Sequence, residues 1–421
     1  MYDDDRTTRL RPRLPAHIAR MLLGDEIEPE LRGVLAASFA STMFFGSFWT
    51  FFGIWAVKDL GASSAQLGVT FLLDAVAGAL AAYAGGHLSD LVGRRPVLIA
   101  SWAAQVPVVL LCIAARDHVY LGLALGVCMG GVAGPGLAAN QALIPDIVAP
   151  ARQEAAYAAL RVAFNLGIVC GPPAAGLLLL RNDWTVFFSG IAAGGLVAVA
   201  LAFRFVPARG RYSPEAPPER GSLGVLRRDH LFLLFLGSNV LAYIVYFAFE
   251  TVLPISVVQT HGVSPTVWGA LLVINPALVT LFQVRLTRVV EPVSRAVKLL
   301  VALPLMGFPF LLLSVDASVG VIVVILVVFV VGEMLWVPTS AAIAARMAPA
   351  DLRGAYMGAY GSTSPVAFAL GPLAGLQIRG AAGETAAWTF FALVSVVAAM
   401  TGAVACRLTA DRTAEAVPDA A

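Results

Sequence analysis

The chain has 421 residues, 59% hydrophobic and only 13% charged, with a net charge of +2 and a mean hydropathy of +0.83. A soluble globular protein of that balance would expose too much apolar surface, and arginines spread over loops, away from stacking aromatics, exclude a nucleic-acid partner. The solvent is expected to be a lipid bilayer and the fold all-α, because a helix satisfies its own backbone within hydrocarbon.

Residues 1–32 mix acids with arginines and lack an apolar core followed by a cleavage signal, so they are expected to be a cytoplasmic N-terminal segment. Spanning roughly 30 Å of hydrocarbon takes about 20 helical residues. Twelve apolar runs reach that size: approximately 34–57, 65–88, 97–114, 119–143, 155–180, 184–206, 231–258, 267–284, 296–315, 319–344, 355–378 and 386–406. They divide into a bundle at 33–206 and a second at 230–407. Between them 207–229, with Pro214, Pro217 and Pro218, reads as a flexible cytoplasmic linker, and 408–421 as a cytoplasmic tail.

The second and third runs are joined by Gly85-Gly86-His87-Leu88-Ser89-Asp90-Leu91-Val92-Gly93-Arg94-Arg95-Pro96. So short a connection makes the two helices antiparallel neighbours, with Gly93 permitting the reversal and Pro96 beginning the next helix. The paired arginines hold this turn inside. Twelve crossings then leave only Lys58, Arg116, Arg181 and Arg379 outside, of 28 Lys and Arg residues, and a shift of one helix would destroy that asymmetry. Cys112, Cys128, Cys170 and Cys406 lie in apolar runs without ligand spacing, so neither a disulfide framework nor a metal site is expected.

The halves echo each other. Ala149-Pro150 and Ala156-Tyr157 recur as Ala348-Pro349 and Ala355-Tyr356, and Ala175-Gly176-Leu177 as Ala374-Gly375-Leu376, all at an offset of 199. Duplicated halves suit a carrier whose site lies between them.

With Gly86, Leu88, Asp90, Gly93, Arg94 and Arg95 in place, the chain resembles the major facilitator superfamily, and within it the twelve-helix drug:proton antiporters of bacteria. Gly167, Gly171, Pro172 and Gly176 look like the fifth-helix motif of the family's exporters, with Pro173-Ala174-Ala175 stretching its end. The resemblance implies two six-helix pseudo-repeat bundles in a bacterial cytoplasmic (inner) membrane with both termini inside. It further implies a carrier, not an enzyme, functional as a monomer, that exports small amphipathic drug-like compounds in exchange for protons. A proton-coupled uptake symporter for a nutrient or metabolite stays open, because only the fifth-helix motif argues against it. No Gly-x-x-x-x-Gly-Lys loop occurs, so no cofactor beyond a proton gradient is expected. Two departures stand out: no basic residue lies between Val119 and Leu143, and Arg285-Leu286-Thr287-Arg288 is a worn second copy of the first signature, its Asp and Gly gone.

The resemblance also supplies a partner for Asp90, the start of the eleventh helix at Arg353 and Gly354. Gly86, Asp90, Gly93, Arg94, Arg95 and Arg353 are thus expected to form a cytoplasmic latch between the halves. Arginines that merely enforce topology are the plainer alternative. In the fourth helix Gly122, Gly126, Gly130 and Gly134 recur every fourth residue and leave one bare face for close approach; Pro172 allows a bend in the fifth.

Asp74, Glu250 and Glu333 are carboxyls within apolar runs, where a charge costs several kcal/mol unless paired, hydrated or protonated. They are the candidate proton carriers, Glu333 and Glu250 ranked above Asp74; simple stabilisation of helix contacts is the alternative. Asn239, Tyr243, Tyr246 and Glu250 follow one another at steps of four, three and four, on one face of the seventh helix. The resemblance places the first, fourth, seventh and tenth helices around a central cavity. Its expected lining is Phe45, Trp49 and Phe52 with Asn239, Tyr243, Tyr246, Trp336 and Asn275, and with Gln283 as a further polar neighbour.

Overall fold

The structure, a computed structural model, describes residues 29–180, 183–212 and 222–415. Most of the expected N-terminal segment, the linker residues 213–221 and the last residues of the tail, 416–421, lie outside the described residues. Six helices build the first bundle: α1 (Pro29–Lys58), α2 (Ser64–Val92), α3 (Arg94–Ala114), α4 (Val119–Ile147), α5 (Gln153–Leu178) and α6 (Trp184–Phe205). The second holds α7 (His230–Phe247, continuing through Thr260), α8 (Pro265–Leu271 and Ile274–Val289), α9 (Arg295–Gly307), α10 (Val319–Met347), α11 (Arg353–Gly361 and Thr363–Ala382) and α12 (Glu384–Glu415). Caps explain the clean starts: Ser63, Asp183, Asp229, Ser294 and Ser318 each accept a backbone N–H from the first turn.

Eleven helices among the described residues are long and apolar enough to cross a membrane. The remaining expected span, α11, is broken at Ser362. Prolines account for this and for two other interruptions, because a proline ring displaces the carbonyl four residues earlier and donates no hydrogen bond. Pro365 follows the α11 break, Pro276 follows the gap in α8, and Pro254 sits between two π-helical turns, Ala248–Val252 and Ser256–Thr260, at the end of α7.

The bundles pack by one rule. In the first, α1 lies on α5 and α6, α2 on α4, and α3 on α4 and α6; in the second, α7 lies on α11 and α12, α8 on α10, and α9 on α10 and α12. Adding six to each label of the first set gives the second. The seam obeys the same operation, since α2 packs on α11 and α5 on α8. One-turn 3-10 helices, Pro150–Arg152 and Ala350–Leu352, precede α5 and α11 at equivalent places.

Candidate transport site and the seams around it

The turn after α2 needs Gly93, whose φ of 99° is strained for any residue with a Cβ. Its reversal brings Arg94 back over Asp90, Nη2 to Oδ1 at 2.7 Å. Both Asp90 oxygens also accept backbone N–H groups from the other bundle, Gly354 and Ala355 at 2.7 Å each. These are orphan donors of the first turn of α11, so the carboxylate caps a helix across the seam. Arg94 Nε lies 3.2 Å from Asp146 at the end of α4, and Asp146 receives Arg353 Nη1 at 3.0 Å. Arg94 and Arg353 therefore share Asp146, one from each bundle. Gly86 admits this approach: a Cβ there would strike the Gly354 carbonyl, and one on Gly354 would strike Gly86. Arg95 belongs elsewhere. It donates to the Phe203 carbonyl and lies over that residue's ring at 5.1 Å, tying α3 to α6 within one bundle.

The second seam carries a different lock that the sequence reading missed. Glu154, in the first turn of α5, meets Lys298 of α9 at 2.5 Å and Arg295 at 3.7 Å, and accepts from Thr339 of α10 at 3.1 Å. Under the offset of 199, Glu154 is the counterpart of Arg353. The charge at the equivalent helix start is reversed between the two seams: Arg353 on α11 meets Asp146 on α4 in one, and Glu154 on α5 meets Lys298 and Arg295 on α9 in the other.

Deeper in the protein, Glu333 of α10 is 2% exposed. One oxygen pairs with Arg161 Nη2 of α5 and the other accepts from Asn275 Nδ2 of α8 at 2.6 Å; Arg161 Nη1 also reaches the Glu333 carbonyl at 3.3 Å. The charge count grouped Arg161 with inside residues, and the structure corrects this: it lies about two turns, roughly 12 Å, into α5. Glu250 is exposed, with the Tyr246 hydroxyl beside it and Glu333 within electrostatic range. Its π turn, with i→i+5 bonding, moves it out of the α-helical register assumed for the polar stripe.

Asp74 lies elsewhere, in the wall of a cavity of about 380 Å³ between the bundles. Trp49, Phe71 and Ala75 complete that wall on the first bundle, facing Phe247, Ser364, Pro365 and Phe368 on the second. Of the expected aromatic face only Trp49 lines it. Phe45 is packed into the notch left by Gly195 of α6, and Phe52 against Gly126 of α4, because small residues on the neighbouring helices make room for rings there. Asn239 is likewise committed, donating to Thr363 at 2.6 Å and accepting from Ser340 at 2.9 Å, while Gln283 donates to the Met334 carbonyl at 2.8 Å. Asn275 is held by Glu333. Trp336 and Tyr243 meet edge to face at 4.7 Å, and Tyr243 stacks on Phe247 at 6.0 Å, so an unbroken line of rings joins the turn bearing Glu333 to the cavity wall. Tyr246 touches Phe247 on the same line, at 5.4 Å.

The glycines of the fifth-helix motif face α1 of their own bundle. A Cβ on Gly167 or Gly171 would strike the backbone around Met43, whereas Gly176 has room, with only Phe51 at 3.8 Å. Pro172 sits inside α5 without interrupting it. On α4, Gly122 and Gly126 receive side chains of α1, and Gly130 and Gly134 admit α2, with Asp74 against Gly130.

A family model described as Major Facilitator Superfamily matches residues 34–372 and 238–420. Among curated proteins the chain is 24% identical over 333 residues to the uncharacterized MFS-type transporter YqjV of Bacillus subtilis, covering 77% of this chain and 80% of that protein. It is 22% identical over 350 residues to a Na(+), Li(+), K(+)/H(+) antiporter of Planococcus maritimus, covering 74% and 81%. Against the multidrug resistance protein MdtL of Klebsiella pneumoniae the figure is 27% over 207 residues, 49% and 52%. Among solved structures, the human organic anion transporter MFSD10 superposes with a TM-score of 0.66 at 18% identity, over 89% of this chain and all of that one; this likeness concerns the fold. Two six-helix bundles related by one operation, a seam capped by Asp90 and a family match that spans both bundles lead to one assignment: the chain belongs to the Major Facilitator Superfamily of membrane transporters.

Proposed function

We propose that the protein is a proton-coupled exporter of small amphipathic, drug-like compounds. It works by alternating access as a monomer in a bacterial inner membrane, with both termini and the Asp90–Arg94 turn on the cytoplasmic side. The moving bodies are residues 33–206 and 230–407, joined by the linker at 207–229, and the proton gradient is the only energy source. The observation that carries this reading is the Glu333–Arg161–Asn275 cluster, a buried carboxylate whose counter-charge comes from the opposite bundle. A charge at that depth is tolerable only when paired or neutralised. Proton uptake by Glu333 therefore breaks the inter-bundle ion pair, leaves the Arg161 guanidinium in need of water or another counter-charge, and so drives α5 to move against α10. Exposed Glu250, one turn from Tyr246, supplies the site where a proton enters, and the seam at Asp90 and Arg353 is the latch that closes the inner end.

Similarity to a cation/H(+) antiporter and to MdtL supports exchange for protons over uptake. A panel of toxic compounds tested on cells with and without the protein identifies a substrate, and everted vesicles then test direction. An inside-acid gradient drives accumulation of that substrate, collapsed by an uncoupler and largely lost in Glu333→Gln. Accumulation in right-side-out vesicles instead would overturn the reading in favour of a symporter.

A further inference from the structure

The four aromatic residues of the cavity form two pairs, one from each bundle: Trp49 with Phe71, ring centroids 6.0 Å apart, and Phe247 with Phe368, 5.0 Å apart. The acidic group in the lining is Asp74, and Ser364 adds a hydroxyl. Among the described residues Asp74 has no ion-pair partner and no hydrogen bond to another side chain; its carboxyl lies against the backbone of Gly130. This carboxyl differs in kind from Glu333, which already has a counter-charge.

We propose that this cavity is the substrate site and that it takes an organic monocation, its charge at Asp74 and its aromatic body between the ring pairs of the two bundles. The inference rests on the export reading for the cavity's place in the transport cycle. Among the described lining residues one acid and no base select a single positive charge. Ring faces attract cations that carry little hydration, and a volume of about 380 Å³ falls within the range of small-molecule sites. An anion would meet Asp74 unpaired, and an inorganic ion would need a shell of oxygens to replace its water, where this wall is mostly carbon. A ligand here touches α1 and α2 on one side and α7 and α11 on the other, so its binding depends on the relative position of the bundles.

The test is binding, read without transport, on the purified full chain in detergent at neutral pH. Ethidium is the probe, and phenanthridine, the uncharged parent ring, the control. Asp74→Asn should weaken ethidium by about tenfold or more and change phenanthridine by less than about twofold, whereas Asp74→Glu keeps ethidium binding and Phe368→Ala weakens both ligands. Should Asp74→Asn fail to fold, Ala75→Lys, which brings a fixed cation to the same wall, carries the test: ethidium is lost and phenanthridine kept. Equal ethidium affinity in the wild type and in the Asp74→Asn or Ala75→Lys protein overturns the proposal. So does a calorimetric signal for Na+, Li+ or K+ that disappears in Asp74→Asn, which would assign the wall to an inorganic ion. If binding behaves as expected but everted vesicles accumulate nothing, the export reading falls and the site stands.

Discussion

Glu333 and Arg161 come from opposite bundles, and each is the other's principal counter-charge. Removing one partner of a buried pair leaves an uncompensated charge and costs about 3–5 kcal/mol, whereas replacing both with apolar groups is often neutral. Arg161→Met should therefore lower the melting temperature sharply, and Arg161→Met with Glu333→Leu should recover most of the loss while abolishing gradient-driven transport. A single variant as stable as the wild type, by thermal unfolding in detergent, would show that the pair is not held in the dry seam. The aromatic residues of α1 divide in the same manner. Phe52→Ala removes a ring sealed against Gly126 and should cost about 3–5 kcal/mol without altering which compounds are carried. Trp49→Ala, half-buried in the cavity wall, should instead raise the substrate KM, with a smaller loss of stability than Phe52→Ala. The sequence made Glu333, Asp74 and Trp49 visible as polar or aromatic groups in apolar runs, and Asp90 through its signature. Arg161 escaped because one charge disappears in the average over a membrane-length window. Spacing put Phe45, Trp49 and Phe52 on one face, but only the glycines of α4 and α6 decide which of the three are covered.

At the level of elements, the two seams solve one problem with opposite charge arrangements. The worn signature after α8 has no acid to cap α5, and Glu154 on α5 supplies the carboxylate instead, meeting Lys298 and Arg295. Reversing one member leaves like charges face to face, so Glu154→Lys or Lys298→Glu alone should destabilise the closed seam, while the double swap restores it. Thermal unfolding of the four proteins gives the coupling, expected to exceed about 1 kcal/mol for a pair in contact. A coupling near zero would mean the contact is incidental. Helices as such were legible from hydrophobic length, and the turn at Gly93 from its glycine. The breaks in α8 and α11 and the π turns of α7 were not, because hydropathy counts composition and is blind to which backbone bond a proline removes. Glu154 and Lys298 were hidden for another reason: they are far apart in the chain, and only the packing of α5 against the second bundle makes them neighbours.

For the whole molecule, the offset repeat anticipated what the packing shows, that the second bundle is the first with every helix advanced by six. In the structure the Asp90 end is closed by both seams, while the cavity lies between α1, α2, α7 and α11. If the bundles rock as rigid bodies, opening one must close the other; if they merely loosen, both become accessible together. Ser89 is fully buried beside the Asp90 latch and Ser364 is half-buried in the cavity wall, so cysteines at these places report the two ends. They should be introduced after replacing the exposed Cys128 and Cys170 and the half-buried Cys406, with Cys112 left in its buried place. In that background a maleimide should label Ser364→Cys and spare Ser89→Cys. Adding Asp90→Asn and Glu154→Gln removes charge-assisted contacts worth about 1.5–3 kcal/mol each, and about 2.8 kcal/mol in total already shifts a two-state ratio a hundredfold. Labelling at Ser89→Cys should then rise steeply as that at Ser364→Cys falls. A rise at both positions would mean that the seams hold the protein together without governing which end is open.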